Sequence, residues 1–220
     1  NDEKTKLQSD AILKPLIAAG KVAITQGFIG RDDEGKTTTL GRGGSDYSAA
    51  LLAEILNADD VLIWTDVPGI YTTDPRVEPN AKRIDTMAFN EAAEMATFGA
   101  KVLHPATLLP AVRSNIPVFV GSSKAPEQGG TWVTRDPQPR PTFRAIALRR
   151  NQTLLTLSSL SMLHAKGFLA NVFAILAKHN ISVDVITTSE VSIALTLDKT
   201  GSASTGAEML SQDLLDELRE

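Results

Sequence analysis

Thr37-Thr38-Thr39-Leu40-Gly41-Arg42-Gly43-Gly44-Ser45-Asp46 crowds hydroxyls, one guanidinium and a glycine-rich turn into a single short stretch. Arginine matches a carboxylate or a phosphate with two parallel hydrogen bonds. The glycines let the backbone come close to such an anion and take up positive φ. An apolar helical pattern follows at once through Tyr47, Ala49, Ala50, Leu51, Leu52, Ile55 and Leu56. Ser45 or Asp46 is the expected cap, so the N-terminal N–H groups of that helix face the loop. A helix N-terminus beside an arginine is an anion site. Without a ligand, the same residues read as a capped strand-to-helix loop.

A second anion motif stands just upstream. Gly30-Arg31-Asp32-Asp33-Glu34-Gly35-Lys36-Thr37 has the spelling of a P-loop. Its context is wrong. Consecutive acids would repel the phosphate, and Lys36-Thr37 leads into β-branched threonines rather than a helix. Asp32 to Lys36 is expected to be an exposed turn. Farther on, Thr65-Asp66-Val67-Pro68-Gly69-Ile70-Tyr71 leaves a strand through a type II turn signal, exposing Asp66 and Tyr71. Asp74-Pro75 turns again, and Arg76 is a candidate phosphate partner, or else a solvated loop charge. Lys101 lies where a helix gives way, and by itself reads as a surface lysine. Glu91 and Glu94 are expected to face solvent in the first turns of a helix over 90–98.

The elements that must position these groups follow from periodicity. A helix is expected over Glu3 to Ala19, with Pro15 inside it. Val22 to Thr25 and Val61 to Thr65 read as buried strands, with the Ser45 to Asn57 helix between the two. Strand, helix, strand suggests a parallel α/β sheet, in which ligands collect at the carboxyl ends of strands. The Thr37–Asp46 and Thr65–Tyr71 loops would then share one crevice. A further helix (Ala106 to Arg113) and strand (Pro117 to Val120) follow, and Gly129-Gly130-Thr131 is turn-like. Prolines crowd Asp136 to Pro141, which sets the expected boundary between residues 1–140 and 141–220.

The second part reads strand (Ala145 to Leu157), helix (Gly167 to His179), strand (Ile181 to Thr187), strand (Val191 to Leu197) and helix (Glu208 to Leu218). Ser189-Glu190 is the turn between the last two strands. The order is one strand short of a ferredoxin-like unit, which leaves an open edge. The loop ahead of its first helix offers N–H groups to a carboxylate. Asp184 and Glu190 can pair with ammonium groups, or stand as solvated strand-end charges.

Composition bounds the rest. The 220 residues allow one large or two modest domains. A net charge of −4 argues against a nucleic-acid binder. Cysteine is absent, so disulfides and cysteine-ligated zinc are excluded. No apolar run reaches membrane-spanning length, so no membrane partner is expected, and a cytoplasmic location is.

Thr38 to Asp46 resembles the substrate loop of aspartate kinases, which belong to the amino-acid kinase family. Thr65 to Arg76 and Met95 to Pro105 are similar to that family's nucleotide segments. Met162 to Leu169 and Asn180 to Glu190 resemble the ACT sensor of its lysine-sensitive members. The resemblance implies an α/β fold: a partial amino-acid kinase (carbamate-kinase-like), parallel-rich sheet flanked by helices, then an incomplete ferredoxin-like ACT domain. It implies phosphoryl transfer from ATP, with Mg²⁺, to L-aspartate, and inhibition by L-lysine. By that similarity Arg42 and Ser45 hold aspartate and Asp46 orients the polar network. Thr65, Asp66, Tyr71, Arg76, Lys101 and Val102 contact ATP. Met162, Phe168, Leu169, Ser182, Val183, Asp184, Thr188, Ser189 and Glu190 line the lysine site. Ala165 stands where relatives often place a hydroxyl. A homo-oligomer through the ACT unit is expected. The Lys-Phe-Gly-Gly-Thr-Ser motif of these kinases does not occur in this sequence. The expectation is therefore a fragment that does not turn over alone. The competing expectation is a stand-alone lysine-binding regulatory subunit.

Overall fold

The computed structural model describes residues 2–41, 43–98, 103, 105–139, 141–163, 165–198 and 210–219. Chain contacts divide it into two compact units, Asn1–Leu148 and Arg149–Glu220. The division falls downstream of the proline cluster because the segment after it is tied back. Arg144 Nε pairs with Glu91, and Ile146 N–H donates to Thr72 O at 2.8 Å.

The first unit opens with helix α1 (Asp2–Ala18), which carries Pro15 without breaking. Val22 and Ile24 follow, 88% and 93% exposed, in a segment that forms no strand. The expected buried strand at Val22–Thr25 is therefore corrected. Apolar β-formers make a strand only when a neighbour takes up their N–H and C=O groups, and no described strand pairs with these. The chain then folds into a hairpin of β1 (Ile29–Arg31) and β2 (Thr37–Thr39). Asp32 to Lys36 is its exposed turn, closed by Asp32 Oδ1 accepting Lys36 N–H at 2.7 Å. The P-loop spelling is thus a hairpin tip, and Lys36 pairs with Glu34.

Helix α2 (Gly44–Leu56) packs its buried face, including Ala50, Ala53 and Ile55, inward. It ends at Asn57 in the left-handed region, a conformation asparagine tolerates. The mixed sheet runs in the order β3 (Val61–Thr65), β5 (Val118–Ser122), β6 (Gly130–Thr134), β4 (Thr86–Ala88). β3 is parallel to β5 and β6 to β4, whereas β5 and β6 are antiparallel. The turn expected at Gly129–Thr131 is corrected: Gly130 and Thr131 begin a central strand. Gly130 is there for closeness. A Cβ on it would stand 2.2 Å from Val120 O. Helices α3 (Phe89–Thr97) and α4 (Pro105–Ser114) complete the layer. Glu91 is not simply solvent-facing: its carboxylate accepts Ala88 N–H at 2.7 Å, capping α3, and pairs with Arg144. The core joins Val61, Ile63, Met87, Leu108, Val118, Val120 and Val133.

In the second unit the long strand expected over Ala145–Leu157 shrinks to β7 (Thr153–Ser158). Asn151 sits at φ 57, outside the extended region, so pairing starts only beyond it. Helix α5 (Phe168–Lys178), strands β8 (Ser182–Thr188) and β9 (Ser192–Asp198) and helix α6 (Gln212–Arg219) follow. The sheet order is β7-β9-β8, antiparallel throughout, with a register shift between Val183 and Val185. Leu155, Val172, Leu176, Ile193, Leu195, Leu197 and Leu214 form its core.

Candidate functional site

In the first unit, topology gathers the chemistry at one end. Helix α2 has 13 residues and spans about 20 Å. The chain returns through β3, whose five residues cover about 16 Å. The start of α2 and the end of β3 therefore lie at the same end of the layer. β5 is parallel to β3 and preceded by α4, so its carboxyl end joins them. Ser123 seals the junction: its N–H and its hydroxyl both donate to Thr65 O, at 2.8 and 3.0 Å. Beside it Ser122 is buried, and its hydroxyl accepts Lys124 N–H at 3.2 Å.

At that end Ser45 and Asp46 occupy the first turn of α2. Neither is the cap, which corrects the expectation; the cap position is Gly43, φ 72. Ser45 Oγ donates to Asp46 Oδ1 at 3.4 Å. Ser48 ties the hairpin base to this turn, donating to Gly44 O at 2.8 Å and accepting Phe28 N–H at 3.3 Å. Thr65 Oγ1 donates to Asp66 Oδ1 at 3.2 Å. Arg42, Lys101 and Val102 lie outside the described residues.

The excursion between β3 and β4 carries the remaining nucleotide candidates. Tyr71 bridges to Arg83 in an antiparallel pair, and Thr72 N–H donates to Lys82 O at 2.8 Å. Arg76 is exposed and gripped by Asp74 as a fork, Nε to Oδ1 at 3.0 Å and Nη2 to Oδ2 at 2.7 Å. That carboxylate holds the Arg76 guanidinium protonated even more firmly than usual, by its hydrogen bond and then its charge. A phosphate arriving at Arg76 has to share the fork with Asp74.

In the second unit a cavity of about 360 Å³ opens between the start of α5 and the end of β8. Met162, Phe168, Leu169, Thr188, Ser189 and Glu190 line it together, six of the nine residues expected for a lysine site. Leu163, Ala165 and Gly167 line it as well. The first turn of α5 offers the N–H groups that a carboxylate needs. Glu190 supplies negative charge at the other wall. Ser182, Val183 and Asp184 do not line it. They stand in the first half of β8, from about 20 Å of strand before Thr188 at Ser182 to about 13 Å at Asp184. Asp184 sits at the bulge and is ion-paired with Arg149, both largely shielded.

Among the described residues no three carboxylates or imidazoles converge into a metal cage, and no helix is long and apolar enough to cross a membrane.

Comparison with known proteins carries the same division into two parts. The profile of an ACT domain matches residues 155–205. The chain is 73% identical over 206 residues to lysine-sensitive aspartokinase 3 of Escherichia coli (strain K12). That match covers 94% of this chain and 46% of the relative, so the chain spans about half the relative's length. The crystal structure of E. coli aspartokinase III with lysine and aspartate (T-state) superposes with a TM-score of 0.80 at 68% identity, covering 100% of this chain and 48% of that one. The same enzyme with aspartate and ADP (R-state) gives 0.81 at 69% identity, covering 99% and 48%. The profile of the amino acid kinase family matches residues 1–122, more than half of the sequence, and the chain belongs to that family.

Proposed function

We propose that this chain carries the nucleotide-binding half of an aspartate kinase joined to an L-lysine-sensing ACT unit. The observation that carries the reading is the 73% identity to a lysine-sensitive aspartokinase, which runs across both units. In the reaction a side-chain carboxylate oxygen of aspartate attacks the γ-phosphorus of ATP. The bond from that phosphorus to the bridging oxygen breaks, ADP leaves with the electron pair, and an acyl phosphate forms. Protein groups contribute position and charge neutralisation rather than covalent chemistry. The start of α2, with Ser45 and Asp46, would hold the amino acid, with Arg42 opposite its carboxylate. Thr65, Asp66, Tyr71 and Arg76, with Lys101 and Val102, would hold the nucleotide. Mg²⁺ screens the phosphate charge when bound. Its usual partners are phosphates, water and one or two carboxylates, which fits a site with Asp66 and no protein cage.

The sensor cavity would take lysine with its carboxylate on the first turn of α5 and one ammonium at Glu190. Asp184, four residues before Thr188 on β8 and outside the cavity, would meet a lysine held by a second chain. That arrangement favours a homo-oligomer through the ACT unit. A cytoplasmic location belongs to the same reading.

Calorimetric titration of the purified chain tests both halves. Mg-ADP and L-lysine are expected to bind separately, and Glu190→Gln to weaken lysine alone. Absence of Mg-ADP binding would leave the stand-alone lysine-binding subunit as the better reading. Absence of both would overturn the proposal. Aspartyl phosphate formation by this chain, trapped as hydroxamate, would overturn the expectation that it does not turn over alone.

A further inference from the structure

One side chain holds the nucleotide excursion to the sheet without being part of it. Thr131, in β6, is fully buried. Its hydroxyl accepts Ile70 N–H at 2.8 Å and donates its single proton to Ile84 O at 2.6 Å. Ile84 N–H in turn donates to Ile70 O at 2.8 Å. One oxygen therefore clamps the outgoing and returning limbs of the 66–85 excursion to each other and to β6.

The clamp connects to the other side of the site. β6 is fixed against β5 with Thr131 opposite Val120, and β5 against β3, which ends at Thr65. The distance between Thr65 and Tyr71 is thus set through the sheet rather than by the loop. The approach is as close as the chain permits. Gly69 sits at φ 124, and a Cβ on it would stand 2.7 Å from Thr131 Oγ1 and 3.1 Å from Arg83 Cδ. Immediately after Ile70 comes Tyr71, bridged to Arg83. A shift of Ile70 off the Thr131 hydroxyl would move Tyr71 with it.

We propose that Thr131 is a positioning residue for the nucleotide, acting through Ile70 on Tyr71 and Asp66. The proposal rests on the nucleotide reading given above. Valine has the shape of threonine but neither donates nor accepts. It would leave a buried N–H and a buried C=O without their partner, and these would be free to pull the loop from the sheet.

The test is Mg-ADP affinity of the 220-residue chain, measured well below its unfolding temperature. Thr131→Val is expected to weaken binding about tenfold and Thr131→Ser to stay within about twofold. Val133→Ala, a fully buried truncation on the same face of β6, is the control: it lowers thermal stability and leaves affinity unchanged. Equal affinity in Thr131→Val, no recovery in Thr131→Ser, or an equal loss in Val133→Ala would each overturn the proposal. Amide exchange at Ile70 in the unmodified chain is a second measurement that needs no variant. Mg-ADP is expected to slow it, and an unchanged rate would count against Thr131. If the unmodified chain does not bind Mg-ADP, the nucleotide reading falls and takes this proposal with it. If it binds and Thr131→Val binds equally, only Thr131 falls.

Discussion

Replacing Asp184 with asparagine, Arg149 with glutamine, and both together forms a cycle that isolates their ion pair. The Asp184 side chain is 11% exposed and Arg149 22%. The pair is therefore deeper than the exposed pairs that contribute about 0–1 kcal/mol. It still touches solvent, so it falls short of the fully buried pairs whose rupture costs about 3–5 kcal/mol. A hydrogen bond between charged groups at this depth contributes about 1.5–3 kcal/mol, and we expect a coupling of about 2 kcal/mol. Each single variant should lose about that much, and the double variant scarcely more. Urea unfolding must be followed by far-UV circular dichroism or amide exchange in β8 and β9. Trp64 and Trp132, the protein's two tryptophans, both lie in the first unit, so fluorescence does not see the second. Losses that add to within about 0.3–0.5 kcal/mol would refute the coupling. In the same samples Asp184→Asn is expected to weaken L-lysine binding and leave Mg-ADP affinity alone. Unchanged lysine affinity would remove Asp184 from the sensor.

Lys36→Ala is expected to leave Mg-ADP affinity unchanged, because Lys36 sits at a hairpin tip paired with Glu34; a loss by titration would revive the P-loop reading. Gly130→Ala should cost about 3 kcal/mol or more by tryptophan-monitored unfolding, since its Cβ meets a backbone oxygen that cannot move cheaply. A loss below about 1 kcal/mol would show that β5 and β6 can part. Glu54 joins α2 to Arg113 of α4, and the hydrogen bond from Arg113, aided by its charge, holds the carboxyl below its ordinary 4.5. Its contribution is then complete above about pH 4.5 and lost as pH falls through the lower folded value. The stability gap between the native chain and Glu54→Gln should therefore be open at pH 7 and narrow in acid; a gap that does not narrow as pH falls below about 4.5 would refute the assignment.

What could be read in advance depended on how local the cause was. The exposed turn over Asp32 to Lys36 was legible because consecutive acids at its tip would repel the phosphate that the P-loop spelling suggests; the strands flanking it were not. The six cavity residues around Phe168 were named by resemblance rather than by pattern, and they fall in two short stretches that meet at one helix start. Strand β6 was not legible, since Gly130 looks like a turn and is in fact a close contact with Val120, ten residues away in sequence. Val22–Thr25 failed in the opposite direction, because apolar alternation cannot report whether a neighbouring strand exists. Asp184 was assigned to the lysine site by resemblance. Only the register shift in β8 and the guanidinium of Arg149 reveal where it stands. Thr131 gave no signal, because a buried hydroxyl has no sequence pattern of its own.

Strand β8 holds Asp184 outside the cavity that Thr188 lines, with about 13 Å of strand between them. An effector that met the cavity of one chain and Asp184 of another would be gripped by two chains. Such a ligand has no fixed dissociation constant of its own. By mass action its half-saturation point falls as protein is added, until every chain is paired. A cell holding few copies would answer to the effector sluggishly, and one holding many would answer early. Such a site would report the amount of the effector and the amount of the chain itself in a single reading.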